Sequence, residues 1–460
     1  DTPTFEMNSG GSIASSNGPL TLTADNVYIN ATVRASFNTL WLRPKTANRN
    51  ITLGVDAAAD AVTDPPTLSL STVEIGKLDA SGGTVRIGSS ANTNGAVLSG
   101  TISIASQIIR SGSASLWLDS PVSISQADGS AICNGKLKIS SPAAVLNQRN
   151  GVCTDPVTKK LVGNATGATT QLLSGKLTLN SNSTDGPALR SGLIVGDGDG
   201  IAGSAEIILT QSNQFLGTAQ TVTGLSTTPT ANPALTLYGD GKLTLNGNVT
   251  QTIGALTSKT LTGGVASSGA EIAMASGSVL TTISATASTY DGSLSGAGSL
   301  LKQGTGTLTL SGDGSTAALT VEAGQVSVNG STTLATTLTS GTLAGTGSIG
   351  TNAVNGGTLL PGVGNLGKLT MSTLNQASGG TLKLGLSGGT APVAGTDYRQ
   401  AVVTGNTVDL SGSALVLTTV GSTPFNQAAS YTLIDNQGTS AVSGTFNGLA
   451  EGATVTLGGV

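Results

Sequence analysis

The sequence predicts an all-β fold, a parallel β-solenoid drawn out into an elongated rod. Three observations carry that expectation. The 460 residues include 66 glycines but only two Trp, five Tyr and five Phe, so side chains large enough to fill thick globular cores are scarce. Stretches in which apolar residues alternate with Thr or Ser recur throughout, the period-two mark of half-buried strands. Each stretch is cut off within about 4–6 residues by Gly, Asn, Asp or Ser, which supply positive φ or local side-chain bonds at corners.

In chain order the strands begin with Leu20-Thr21-Leu22, Leu68-Ser69-Leu70, Thr84-Val85-Arg86-Ile87 and Thr101-Ile102-Ser103-Ile104. They continue through Lys136-Leu137-Lys138-Ile139, Lys176-Leu177-Thr178-Leu179, Leu235-Thr236-Leu237 and Lys242-Leu243-Thr244-Leu245. Later come Thr307-Leu308-Thr309-Leu310, Gln325-Val326-Ser327-Val328 and Thr381-Leu382-Lys383-Leu384. Their spacing is uneven, often about 10 or about 20–24 residues, as expected of coils that each give two or three short strands to stacked sheets. Coils of about that size would number about 20, and at about 4.8 Å per coil the rod would be on the order of 100 Å long. Helix signals are nearly absent, because no long stretch joins a 3.6-residue apolar period to an N-cap and a following acid. Residues 61–66, 164–170 and 226–233 and the Asp-Gly run near residue 197 read as loops. A tandem array of sandwiches would need an aromatic-rich core in each domain, which 12 aromatics cannot supply.

Composition also excludes chemistries. With no histidine, the chain has no Ser-His-Asp or Cys-His nucleophile system and no His-ligated metal. A net charge of -4, with 20 Lys+Arg thinly spread, lacks the basic footprint of a nucleic-acid binder. Hydrophobic content of 37% and a mean hydropathy of +0.17 are too high for a disordered chain. No stretch approaches 18 consecutive apolar residues, so no membrane-spanning segment is expected. Asp1-Thr2-Pro3 opens without a basic and apolar leader, so a signal peptide is expected to be removed or absent.

Cys133 and Cys153, the only cysteines, lie 20 apart and read as a loop-closing disulfide, with two inert buried thiols as the rival reading. A loop of that size gains about 3 kcal/mol in the loop-entropy account.

Residues 293–331 carry Gly296-Ala297-Gly298, Lys302, Gly304-Thr305-Gly306, Leu308-Thr309-Leu310-Ser311-Gly312 and Glu322-Ala323-Gly324. This stretch resembles the passenger-associated β-strand repeat of bacterial autotransporters, and the sequence after it, to residue 460, resembles the coils that follow that repeat. Residues 40–106, with LWLRPKTANRNITLG and GGTVRIGSS, look like coils of filamentous-haemagglutinin-like β-helix proteins. The resemblance implies a right-handed β-helix displayed outside a bacterial cell, exported across the outer membrane. It suggests three regions: residues 1–50 as an N-terminal cap and first coils, 51–292 as solenoid with the disulfide loop, and 293–460 as passenger-like coils. An autotransporter would add a C-terminal translocator barrel. This chain stops at Gly458-Gly459-Val460 among solenoid coils, so a cleaved or shortened passenger or another export route is expected.

β-Helices also host polysaccharide lyases and hydrolases, which need clustered carboxylates on adjacent coils. The acids here are scattered. Asp56 with Asp60, Asp197 with Asp199, and Asp397 near Arg399 read as solvated loop groups, so no enzyme is expected. Gly196-Asp197-Gly198-Asp199-Gly200 is the one calcium candidate, against a plain polar turn, and no other cofactor is expected. Arg34, Arg43, Lys45 and Arg49 around Trp41 form the one basic-aromatic concentration, either an N-terminal cap or a contact surface for glycans or a subunit. Trp117 is expected in the core. Thr-x-Thr pairs recur, though neither at one spacing nor in an unbroken column. The expected function is a non-enzymatic extracellular structural or adhesive solenoid. A carbohydrate-active enzyme and an ice- or surface-water-binding protein are the alternatives. The expected partners are further copies in an oligomer or filament, and cell-surface glycans or an abiotic surface, without nucleic acid.

Overall fold

The computed structural model describes residues 4–55, 67–90, 97–110, 113–147, 169–181, 187–198, 204–215, 232–364, 366–376, 379–388, 391–420, 428–455 and 457, with backbone alone at 150–151, 153–154 and 161–162. The expected loops at 61–66 and at 226–231 lie outside these residues, as does 164–168 of the third. The fold is a parallel β-solenoid, and the described residues are 53% strand and 2% helix. Two compact units divide the chain, Asp1–Gln251 with Lys259–Gly269, and Thr252–Ser258 with Ala270–Val460.

In the first unit one run of parallel strands stacks Leu20–Thr23, Thr39–Arg43, Thr84–Gly88, Ser115–Asp119, Lys136–Leu146, Thr169–Leu179, Gly192–Val195 and Leu235–Tyr238. A second stacks Leu68–Leu70, Ile51–Leu53, Ile102–Ile104, Ile124–Gln126, the same two long strands, Ala205–Leu209 and Gly241–Leu245. Lys136–Leu146 and Thr169–Leu179 serve both runs because each turns a corner without ending, through register shifts at Ile139/Ser140 and Ser141/Ala144. Alternation then decides the faces. Leu40, Leu42, Val85, Ile87, Leu116, Leu118 and Ile139 are fully buried, and Trp41, Arg86, Trp117 and Lys138 between them point outward. A small antiparallel pair, Cys153–Thr154 with Leu161–Val162, interrupts the parallel pattern.

Beside the parallel pair Glu271–Met274 and Ser293–Gly296, the described residues of the second unit form two long parallel sheets. One runs from Val279–Ile283 through Ser299–Gln303, Ala318–Val321, Ala335–Leu338, Ser348–Val354, Gly367–Gln376 and Arg399–Asp409 to Ile434–Asn436. The other, of seven strands, runs from Ser288–Tyr290 to Ala414–Thr419. Leu308, Val326, Leu343, Leu359, Leu382 and Leu415 form one column, and successive members are 18, 17, 16, 23 and 33 residues apart. Extra residues therefore leave the coil between strands, and the columns stay aligned.

One short α-helix stands among the strands. Thr72–Lys77 is capped by a full capping box: Ser71 Oγ accepts the Glu74 N–H and the Glu74 carboxylate accepts the Ser71 N–H. At six residues it is too short to show a helical period, but its Ser-x-x-Glu signature stands in the sequence. The same buried carboxylate accepts the N–H of Ile29 at 3.0 Å, a main-chain donor on a neighbouring coil. Leu68–Leu70, just before the helix, pairs with Ile51–Leu53 on the edge opposite Ile102–Ile104, so the chain steps back before it advances.

Glycine follows from the stacking at corners. A Cβ on Gly312, Gly330 or Gly347 would run into the carbonyl oxygen of Gly292, Gly312 or Gly330 respectively, one coil below. Helical Gly76, in contrast, has open space around it. Gly330→Ala is therefore expected to destabilise the second unit by about 1–3 kcal/mol, and Gly76→Ala to stabilise the first by about 0.5–1 kcal/mol. Urea unfolding followed by circular dichroism checks both signs.

Candidate functional site

The outward face of the first unit carries a column of unlike side chains in strict register: Thr21, Trp41, Arg86, Trp117, Lys138 and Gln171. The Arg86 guanidinium carbon lies 4.2 Å from the Trp41 ring centroid and 4.1 Å from that of Trp117, so one cation is held between two indoles. Arg43, two residues along the same strand, lies 4.6 Å from Trp41. Each indole N–H is satisfied, Trp41 by the Gly88 carbonyl at 2.6 Å and Trp117 by Ser140 Oγ at 3.0 Å. Arg86 also donates through Nε (2.8 Å) and Nη2 to Oδ2 of Asp119, which is fully buried. Trp117 thus corrects its expected place in the core: Leu116 and Leu118 take the interior and Trp117 stands half-buried outside.

The basic-aromatic concentration expected from the sequence separates into three environments. Trp41 and Arg43 belong to the column. Arg34 is exposed and pairs with Asp79 at 2.8 Å. Lys45 is exposed at a corner where Asp25, itself buried, accepts the N–H groups of Lys45 and Thr46 at 2.9 and 2.8 Å. Arg49 corrects the surface expectation outright. It is 5% exposed, donates to Asn26 Oδ1 and the Thr67 carbonyl, and sits 3.9 Å from Asp25. Pattern alone cannot tell a guanidinium turned inward to orphaned corner groups from one turned outward.

The other candidates serve the main chain. The N–H groups of Asp197 and Gly198 point at the fully buried carboxylate of Asp240, at 3.3 and 2.9 Å, so this turn wraps an acid of a neighbouring coil that the sequence reading missed. Asp199, the second half of the calcium candidate, lies outside the described residues, as do Asp56 and Asp60. Among the described residues no three Cys, Asp or Glu side chains gather as a metal-ion site. Asp397 closes its own turn on the Val393 N–H at 2.8 Å, and Arg399 donates to the carbonyls of Pro361 and Gly364. Lys302 fills an inner position between Thr282 and Val321 and donates through Nζ to the carbonyls of Gln303, Gly304 and Ala323. Burial pulls its pKa down. Cys133 is buried with Gln107 Nε2 at 3.4 Å from its sulfur, and the Cys153 side chain lies outside the described residues.

One column was hidden by uneven spacing. Thr342, Thr358 and Thr381 stack directly, above Thr307 and Gln325. Beside it Thr309, Ser327, Ala344 and Leu360 break the pattern, so the threonine ladder is one residue wide. No helix among the described residues is long and apolar enough to cross a membrane. No protein-family model matches the chain, and no curated protein matches it in sequence.

Arg86 and Asp119 form a pair whose separation is costly. Arg86→Met leaves a buried carboxylate unpaired and is expected to cost about 3 kcal/mol, and adding Asp119→Leu is expected to restore most of it. Denaturation followed by the fluorescence of Trp41 and Trp117, the only tryptophans, reads the cycle. At Asp79, burial acts to raise the pKa, but donors from Ser81 and Arg34 outweigh it and hold the carboxyl below its ordinary 3.8. Its contribution to stability is thus complete above the ordinary aspartate value and is lost as pH falls through the lower native one. Carboxyl-detected NMR titration should show Asp79 titrating below the usual range, and moving up in Arg34→Gln.

Proposed function

We propose that the protein is a non-enzymatic, extracellular, adhesive or matrix-forming solenoid of a bacterial surface, exported across the outer membrane and able to associate with further copies of itself. The observation that carries this reading is the division of labour in each coil. Leu, Ile and Val fill most inner positions, and Thr, Ser, Gln, Lys, Arg and two Trp make up much of the outer face. Rows of hydroxyl, amide and cationic groups offer many weak, repeated contacts to a glycan or surface. The buried acids Asp25, Glu74, Asp119 and Asp240 are each engaged by main-chain N–H groups or by Arg86, an arrangement that builds corners and assembles no general acid–base pair. The resemblance of residues 293–331 to a passenger repeat supports the location.

Purified chain is expected to be retained on glycan-coated or cell-coated surfaces and to show concentration-dependent association by light scattering. Washing off every surface as a monodisperse monomer would remove the proposal. A Cys133–Cys153 disulfide belongs to the same reading, since an oxidising compartment preserves such bonds. Alkylation in denaturant without reductant is expected to leave the mass unchanged, and two added labels would refute the bond.

A further inference from the structure

The Trp41–Trp117 column carries more positive charge than its surroundings neutralise. Arg43, Arg86, Lys136 and Lys138 stand half-buried on the outer face of Thr39–Arg43, Thr84–Gly88 and Lys136–Leu146. Asp119, on the intervening strand, is the one carboxylate these four strands carry, and Arg86 and the Ser90 N–H already occupy its Oδ2. Among the described residues Arg43, Lys136 and Lys138 form no ion pair. Burial, and then repulsion from Arg86, lowers the pKa of Arg43, as expected where cations are gathered without counter-charge.

We propose that this face binds an anionic polysaccharide along the stack, with carboxylate or sulfate groups at Arg43, Lys136 and Lys138 and sugar rings against the half-exposed indoles of Trp41 and Trp117. The inference rests on the adhesive reading above and names its ligand class. Two features select the ligand. Rungs of a parallel stack repeat at about 4.7–4.9 Å, and Arg43 stands three rungs from the strand that carries both Lys136 and Lys138, so the cations spread along and across the face and suit an extended polymer bearing several charges. Single-stranded nucleic acid shares the charge but binds by stacking bases on open aromatic faces. Here Arg43 and Arg86 lie over Trp41, and Arg86 lies over Trp117. A sugar polymer can be held by its charged groups and hydroxyls at the polar side chains beside the indoles, without stacking on an open aromatic face. Arg86 itself is a positioning residue, held by Asp119 and holding both indoles.

The test uses the full chain, immobilised, with polygalacturonate, dextran sulfate, uncharged dextran and a single-stranded oligonucleotide as probes. At least one of the two anionic polysaccharides is expected to bind saturably and to perturb tryptophan fluorescence, and the better one identifies carboxylate or sulfate as the preferred group. Uncharged dextran is expected not to bind. The double variant Lys136→Gln/Lys138→Gln and the single variant Arg43→Gln, each checked for an unchanged melting temperature, should weaken binding about tenfold or more. If the double variant does not fold, Arg43→Gln alone decides. Absence of saturable binding, equal binding of dextran, tighter binding of the oligonucleotide, or unchanged affinity in the folded variants would overturn the inference. If wild-type and variant chains adhere equally well to a coated surface, the polysaccharide stripe falls and the adhesive reading stands. If the wild type adheres to nothing, both fall.

Discussion

Every feature of this molecule depends on main-chain pairing between one coil and the next, parallel and in register. Ordering a coil of about 20 residues costs on the order of 20–40 kcal/mol in backbone entropy. Its few leucines, at roughly 1.5–3 kcal/mol each when fully buried, cannot offset that alone. Stacking removes the deficit, because each coil supplies the partner for its neighbour's N–H and C=O groups and the lid for its apolar side chains. Inner columns such as Leu308, Val326, Leu343 and Leu359 are therefore continuous even where coil length changes. The same stacking brings corners closer than a Cβ permits, and glycine occupies them, as at Gly312, Gly330 and Gly347.

Where the ladder breaks, main-chain groups lose their partners, and buried charged side chains replace them. Asp25 accepts two N–H groups at the Lys45–Thr46 corner, Glu74 accepts that of Ile29, and Asp240 accepts those of Asp197 and Gly198. Lys302 and Arg399 do the converse, donating to carbonyls at corners of the second unit. An orphaned buried donor or acceptor costs about 1–3 kcal/mol, which gives these residues a structural role. Asp25, Glu74 and Asp240 are thus parts of the stack.

In the outer columns side chains such as Trp41 and Gln171 also meet main-chain carbonyls, and there the chain places its least uniform residues. In the first unit the column alternates indole and guanidinium, with each cation–π contact worth about 0.5–2 kcal/mol. Arg86 joins this column to the buried carboxylate of Asp119, so the surface arrangement is held from within. In the second unit the outer column is threonine, flanked by Ala344 and Leu360. The two faces thus offer different surfaces on one kind of scaffold.

Much of the fold was legible in the sequence, since alternation and glycine-rich corners are local patterns and a solenoid is built from local patterns repeated. The strands at Thr84–Gly88, Thr307–Leu310 and Gln325–Val328 fall where period two places them. The helix at Thr72–Lys77 was missed because six residues carry no period, although Ser71 and Glu74 mark its cap. The candidate site was legible only in part. Trp41 and Arg43 are neighbours in sequence, but Arg86 and Trp117 join them through coils of 45 and 31 residues, lengths that no fixed repeat discloses. Composition and alternation therefore determined that the chain would stack as small β-coils. Only the tertiary structure decided which residues share a column and which charges turn inward, because register between coils is set by pairing across space and not by distance along the chain.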